Sequence, residues 1–180
     1  MSTLVVKLRE APSTLSAARR DLVATNTNNG NFDIIASGDS CSGGATFRLI
    51  GGTLNISDST FTENSCTVSS GNGDAYGGGI SVFGFGTVNI IGSYVGFNVL
   101  QAGSASGSQS SGFAAGGGVY ASGLNGTMAL SFDGSVFEGN ECRAGTVENG
   151  TIVAPSGGAY FVTGEATDPS GVFAVSGNVP

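Results

Sequence analysis

What most restricts the fold of this chain is internal repetition, at a period longer than a heptad and shorter than a domain. Three segments open alike: Gly52-Thr53-Leu54-Asn55-Ile56, Gly86-Thr87-Val88-Asn89-Ile90 and Gly126-Thr127-Met128-Ala129-Leu130. Each alternates apolar and polar residues, the period of a half-buried strand. Further along each unit an apolar residue is followed three positions on by Asn: Phe61/Asn64, Val95/Asn98 and Phe137/Asn140. A third marker is Gly-Gly plus an apolar residue: Gly43-Gly44-Ala45, Gly78-Gly79-Ile80, Gly117-Gly118-Val119 and Gly157-Gly158-Ala159. A unit of three short strands cannot bury its own apolar face, so neighbouring units must stack.

Winding three strands per unit into one turn, and stacking the turns, gives an all-β parallel β-helix of about four coils. Coils then lie about 4.8 Å apart, with like residues in columns. Ile80, Val119 and Ala159 are expected to stack inward with Ala45 at the end, and Leu54, Val88 and Met128 to form a second column. The Gly pairs suit corners, where φ turns positive. Asn64, Asn98 and Asn140 suit a ladder of amides hydrogen-bonded from coil to coil, against the plainer reading of loop polarity.

The units Gly-Gly-Gly-Ile-Ser (77–81), Gly-Thr-Leu-Asn-Ile-Ser (52–57) and Ser-Thr-Phe-Thr-Glu-Asn-Ser (59–65) resemble repeats of right-handed parallel β-helix proteins. The pattern is most similar to the passenger repeats of polymorphic outer-membrane proteins and adhesins, over about residues 43–163. The resemblance implies the fold; for function it spans adhesins, polysaccharide lyases and epimerases. The middle unit departs from it with Val95-Gly-Phe-Asn98, and the pattern is lost after Gly164.

Residues 1–25 differ in kind and are read as a capping segment, with residues 26–180 as the β-helix domain. Pro12 leads into Leu15, Ala18, Leu22 and Val23, a helix-like spacing, and Leu4-Val5-Val6 reads as a short strand. Such an element covers the open end of a solenoid core. At the other end, Val172-Phe173-Ala174-Val175 reads as one more strand with an unpaired edge. That end is expected to continue into further coils or to pack against another copy.

The 180 residues include 32 Gly, no His and no Trp, with 11% charged residues and a formal net charge of −7. A chain without His lacks the commonest general base and Zn ligand. The negative charge argues against a nucleic-acid partner. Four of the six basic residues precede position 21, and residues 75–132 carry no charge. The apolar part of that stretch, 82–100, is broken by Gly and Asn and is a poor membrane span. Leu4-Val5-Val6 is too short for the apolar core of a signal peptide, so the expected extracellular or cell-surface location implies either a signal outside this sequence or another route of export.

Cys41, Cys66, Leu100 and Cys142 fall in one slot of the repeat. Two readings fit that column: small buried hydrophobes, or a Cys41–Cys66 disulfide between adjacent coils, beyond the reach of Cys142. Asn55, Asn125 and Asn149 head N-glycosylation sequons. Asp58, Glu63, Asp133 and Glu138 recur in two units, but the middle unit has no counterpart, and they read as surface carboxylates. The residues imply no cofactor or metal. Long Ser/Gly/Ala-rich segments (67–76, 101–115 and 143–155) leave one corner, as binding loops of solenoids do. The function these features favour is a non-catalytic structural or adhesive module that self-associates or binds a surface polysaccharide or protein. The alternative is a carbohydrate-active or carbohydrate-binding β-helix; Tyr120 and Tyr160, each just after a Gly-Gly marker, hint at an outer aromatic line.

Overall fold

A computed structural model describes residues 44–68, 73–107 and 109–180, plus the backbone of four strands before them. Those four are β1 (Val6–Lys7), β2 (Arg19–Asp21), β3 (Val23–Thr27) and β4 (Asn31–Ile34). The first coil holds β5 (Ala45–Ser57), β6 (Thr60–Thr62) and β7 (Ser65–Thr67). The second holds β8 (Ala75–Tyr76), β9 (Ile80–Ile91), β10 (Tyr94–Gly96) and β11 (Val99–Gln101). The third holds β12 (Ala114–Ala115), β13 (Val119–Ser131), β14 (Val136–Glu138) and β15 (Glu141–Arg143), and the last turn holds β16 (Tyr160–Ala166) and β17 (Ala174–Ser176). Corresponding strands pair in parallel, β5-β9-β13-β16, β6-β10-β14-β17 and β7-β11-β15. The chain is a parallel β-solenoid of about three turns, rather than four.

Left-handed backbone makes the corners. Asp58, Gly92 and Gly134 have φ of 48–64° and Glu63, Phe97, Gly139 and Gly177 have φ of 55–61°. A third column is Gly77, Gly116 and Gly157, with φ of 60–72°. There a Cβ on Gly116 would run into the backbone carbonyl of Val119, so glycine is required and not merely tolerated.

The residue after each of the first two corners begins a ladder. Ser59 N–H donates to Ser93 Oγ (3.2 Å), and Ser93 N–H to Ser135 Oγ (3.1 Å). Asn64 Nδ2 donates to Asn98 Oδ1, and Asn98 Nδ2 to Asn140 Oδ1, both at 2.7 Å; Asn140 Nδ2 donates to Asn178 Oδ1 at 2.8 Å. Each backbone N–H of these asparagines uses the same acceptor as its amide. Against this ladder run the Gly pairs: a Cβ at Gly79 would lie 2.7 Å from Val95 Cγ1 and 3.0 Å from Asn98 Nδ2. The second and third sequence markers are therefore one device, an amide ladder with bare backbone packed on it.

The main core holds Phe47, Leu49, Leu54, Ile56, Phe61, Ile80, Val82, Val88, Ile90, Val95, Val119, Met128, Leu130, Phe132 and Phe137. Beyond the ladder lies a smaller core of Cys66, Ala75, Leu100, Ala102, Ala114 and Cys142. Cys66, Leu100 and Cys142 are in register. Cys66 is disulfide-bonded and Cys142 is free; Cys41 lies outside the described residues.

Several expectations need correction. The inward column is Ala45, Ile80, Val119 and Tyr160, because Ala159 fills the place of the third Gly of the earlier triplets. Val88 faces Leu130, not Met128, because at its register shift β13 has residues 124–127 where β9 has Phe85 alone, an excess of three. Of the expected helix, Pro12, Leu15, Ala18 and Leu22 lie outside the described residues; Arg19–Asp21 and Val23–Thr27 are strands β2 and β3, which pair antiparallel with β6 and β5. Residues Leu4 and Val5 lie outside the described residues, while Val6 belongs to β1. After Gly164 the pattern is not lost: Val175 pairs with Phe137, and Asn178 continues the ladder.

Candidate functional site

The outer face of the β5-β9-β13-β16 sheet carries its odd side chains in columns of their own. Alternation along each strand turns Ser81, Tyr120 and Phe161 outward in one column, and Arg48, Phe83, Ser122 and Thr163 in the next. The segments leading into the Gly corners fold beside this face and bring Tyr76 and Phe113. The result is a chain of rings. Tyr76 and Tyr120 have centroids 4.6 Å apart, Phe83 and Tyr120 5.4 Å, Tyr120 and Phe161 6.1 Å at an interplanar angle of 8°, and Phe113 and Phe161 5.7 Å.

Tyr120 is the floor of this row, at 7% exposure, while Tyr76, Phe83, Phe113 and Phe161 are partly exposed. One carboxylate holds the row's edge. Asp74 accepts from the Tyr76 hydroxyl at 2.8 Å and from the Phe113 N–H at 2.7 Å. Burial, and then the bond to Asp74, push the Tyr76 phenol well above its ordinary range. Burial also pushes Tyr120 up, opposed by its hydrogen bond with Ser122. Both rings are therefore neutral at any physiological pH and present apolar faces with hydroxyl rims.

No family model, curated protein or solved structure matches this chain. Of the two tyrosines singled out from the sequence, Tyr120 lies in the row. Tyr160 points inward, where it meets Phe132 at 5.7 Å, Phe173 at 6.0 Å and Phe137 at 6.5 Å edge-on. Phe161, its neighbour, takes the outer place. Sequence reasoning missed Tyr76, Phe83, Phe113 and Phe161; alternation in 80–83, 119–122 and 160–163 was the available signal for the strand residues.

The remaining sequence candidates are dispersed. Asp58 and Glu63 occupy exposed left-handed corners, and Glu138 accepts from the Tyr94 hydroxyl at 2.8 Å. Among the described residues no group of three or more Cys, Asp or Glu is placed to hold a metal ion. Asn55 lies mid-strand, its Oδ1 accepting from Asn89 Nδ2 at 2.7 Å, whereas Asn125 and Asn149 are exposed. The long segments do not hang free: Ala105 bridges Val147, Asn149 N–H donates to Gly107 O, and Val153 N–H to Ser111 Oγ. They stack from coil to coil as a wing beside the aromatic row.

Proposed function

We propose that this solenoid is a non-catalytic structural or adhesive module, working at a cell surface or outside the cell and associating through its last turn. One observation carries the reading: the two ends of the stack are unlike. At the first coil, β3 and β4 run antiparallel along β5, and β2 along β6. At the last turn, β16 and β17 are terminal in their sheets among the described residues. The same turn exposes Val172 (81%), Ile152 (57%), Val175 and Val179 (52% each). An edge with unpaired backbone groups and apolar side chains is a template for another chain. Because β2, β3 and β4 line β5 and β6 at the first coil, association through the last turn brings two copies tail to tail, and the assembly closes at a pair. This agrees with the resemblance to adhesin passenger repeats.

Light scattering over a concentration series tests it. The mass should rise from the 17.7 kDa of one chain towards twice that value, and Val175→Asp should hold it at one chain with an unchanged thermal melt. A single-chain mass at every concentration would overturn the proposal. A second reading, carbohydrate recognition, is favoured by the outer aromatic row.

A further inference from the structure

We propose that the row Tyr76, Tyr120, Phe161, flanked by Phe83 and Phe113, is a binding strip for an extended, uncharged polysaccharide chain lying along the solenoid axis. This deepens the carbohydrate reading and is independent of tail-to-tail association, since the row lies on the side of the stack and not at its end.

Three features converge on that ligand. The first is the rings themselves. Sugars present flat faces of C–H groups, which pack on neutral aromatic faces, and aromatic rings combine large apolar area with a polar tip. The centroid steps of 4.6 and 6.1 Å along Tyr76, Tyr120 and Phe161 follow the coil pitch, about 4.8 Å. That is close to the length of one hexose unit; Tyr120 backs the row from below, and the partly exposed rings of Tyr76, Phe83, Phe113 and Phe161 meet the sugars of an extended chain.

The second feature is polarity at the rim. Each Asp74 oxygen accepts one bond from the protein, Oδ2 from the Tyr76 hydroxyl and Oδ1 from the Phe113 N–H. A carboxylate oxygen has a second lone-pair site, here suited to a sugar hydroxyl. Asp74 is partly exposed. The Tyr76 hydroxyl lies at the same edge. A bound chain finds donors and acceptors beside its apolar contacts, the pattern of small-molecule sites.

The third is charge. Asp74 sits against the central rings, and among the described residues of β5, β9, β13 and β16 the one basic side chain, Arg48, is in the first coil beside Phe83. A polyuronate would bring its carboxylates against Asp74, so the strip selects uncharged sugars.

The experiment is isothermal titration calorimetry of the full chain with cellohexaose, chitohexaose and oligogalacturonate. Tyrosine emission gives a second readout, because the chain has four Tyr and no Trp. We expect saturable binding of at least one neutral hexasaccharide with a change in tyrosine emission, and no product release. Phe161→Ala and Tyr76→Ala should each weaken it about tenfold or more, and Tyr76→Phe far less. Thermal melts separate binding from folding, and Phe97→Ala, an exposed ring outside the row, should leave the affinity unchanged. Binding of oligogalacturonate alone would overturn the neutral strip while sparing the carbohydrate reading. Binding of none of the three would overturn both, and neutral binding indifferent to Phe161→Ala and Tyr76→Ala would remove the row from it.

Discussion

Replacing Asn98 by Ala tests whether the amide ladder holds the coils together or merely decorates them. Asn98 is fully buried. Its Oδ1 accepts from Asn64 N–H (3.1 Å) and Asn64 Nδ2 (2.7 Å), and its Nδ2 donates to Phe61 O (2.9 Å) and Asn140 Oδ1 (2.7 Å). Asn140 Oδ1 keeps the Asn98 backbone N–H after the substitution. Three groups lose this partner: Asn64 N–H, Asn64 Nδ2 and the Phe61 carbonyl. A buried polar group left unsatisfied costs about 1–3 kcal/mol, so the variant should lose about 3–9 kcal/mol, against a total stability of about 5–15 kcal/mol for a domain. The control is Asn178→Ala, on the partly exposed last rung, where water can replace the lost acceptor; about 1 kcal/mol is expected. Urea melts followed by circular dichroism give both values on one scale. Losses for Asn98→Ala and Asn178→Ala within about 0.5 kcal/mol of each other would refute the argument, because burial and not the number of bonds sets the difference.

Two further outcomes follow from the corners and the second core. Gly116→Ala should be far more destabilising than Gly134→Ala: both have positive φ, but a Cβ at Gly116 meets the Val119 carbonyl, whereas at Gly134 its nearest neighbour is 3.7 Å away. Denaturant midpoints should fall by the equivalent of about 1–2 kcal/mol at Gly134 and by clearly more at Gly116. Burial pushes the Cys142 thiol up to about 12 from an ordinary 9.0. It should resist iodoacetamide at pH 8 in the folded protein and react on unfolding. Because the folded value is raised, the unfolded thiol ionises first, so stability should fall as pH climbs from about 9 towards 12; Cys142→Val should remove that component of the slope.

The repeat was legible because its markers sit where chemistry is least replaceable. A left-handed corner, a buried amide and a backbone packed on that amide admit few residue types, so Gly and Asn recur by position. The inward columns were less legible. Gly126-Thr127 looks like Gly86-Thr87, but it falls inside the bulge, where β13 has three residues more than β9, and Met128 lies opposite Gly86. In the last turn Ala159 stands where earlier coils have a third Gly, which shifts the apparent marker by one and hides Tyr160 in the core. Val23 closes a helical apolar spacing that begins at Leu15, yet Arg19–Asp21 and Val23–Thr27 are strands paired along the edges of β6 and β5, a tertiary preference that no local window contains. The aromatic row was half visible: Tyr120 and Phe161 belong to strands whose alternation can be read, while Tyr76 and Phe113 reach it only through the fold of the wing.

The rungs of the ladder connect residues 34, then 42, then 38 positions apart. The perimeter of a turn therefore varies while its height does not. The longer turn takes up its surplus between matched positions, in the segment from Leu100 to Ala114 and in the bulge at 124–127, and the Ser and Asn clamps return the chain to register before the next corner. Length changes at that bulge, or in the stacked wing between Leu100 and Ala114, stay local to one storey of the building. A lineage of such chains is free to vary what it displays on its flank, by insertion as well as by substitution, without renegotiating the core.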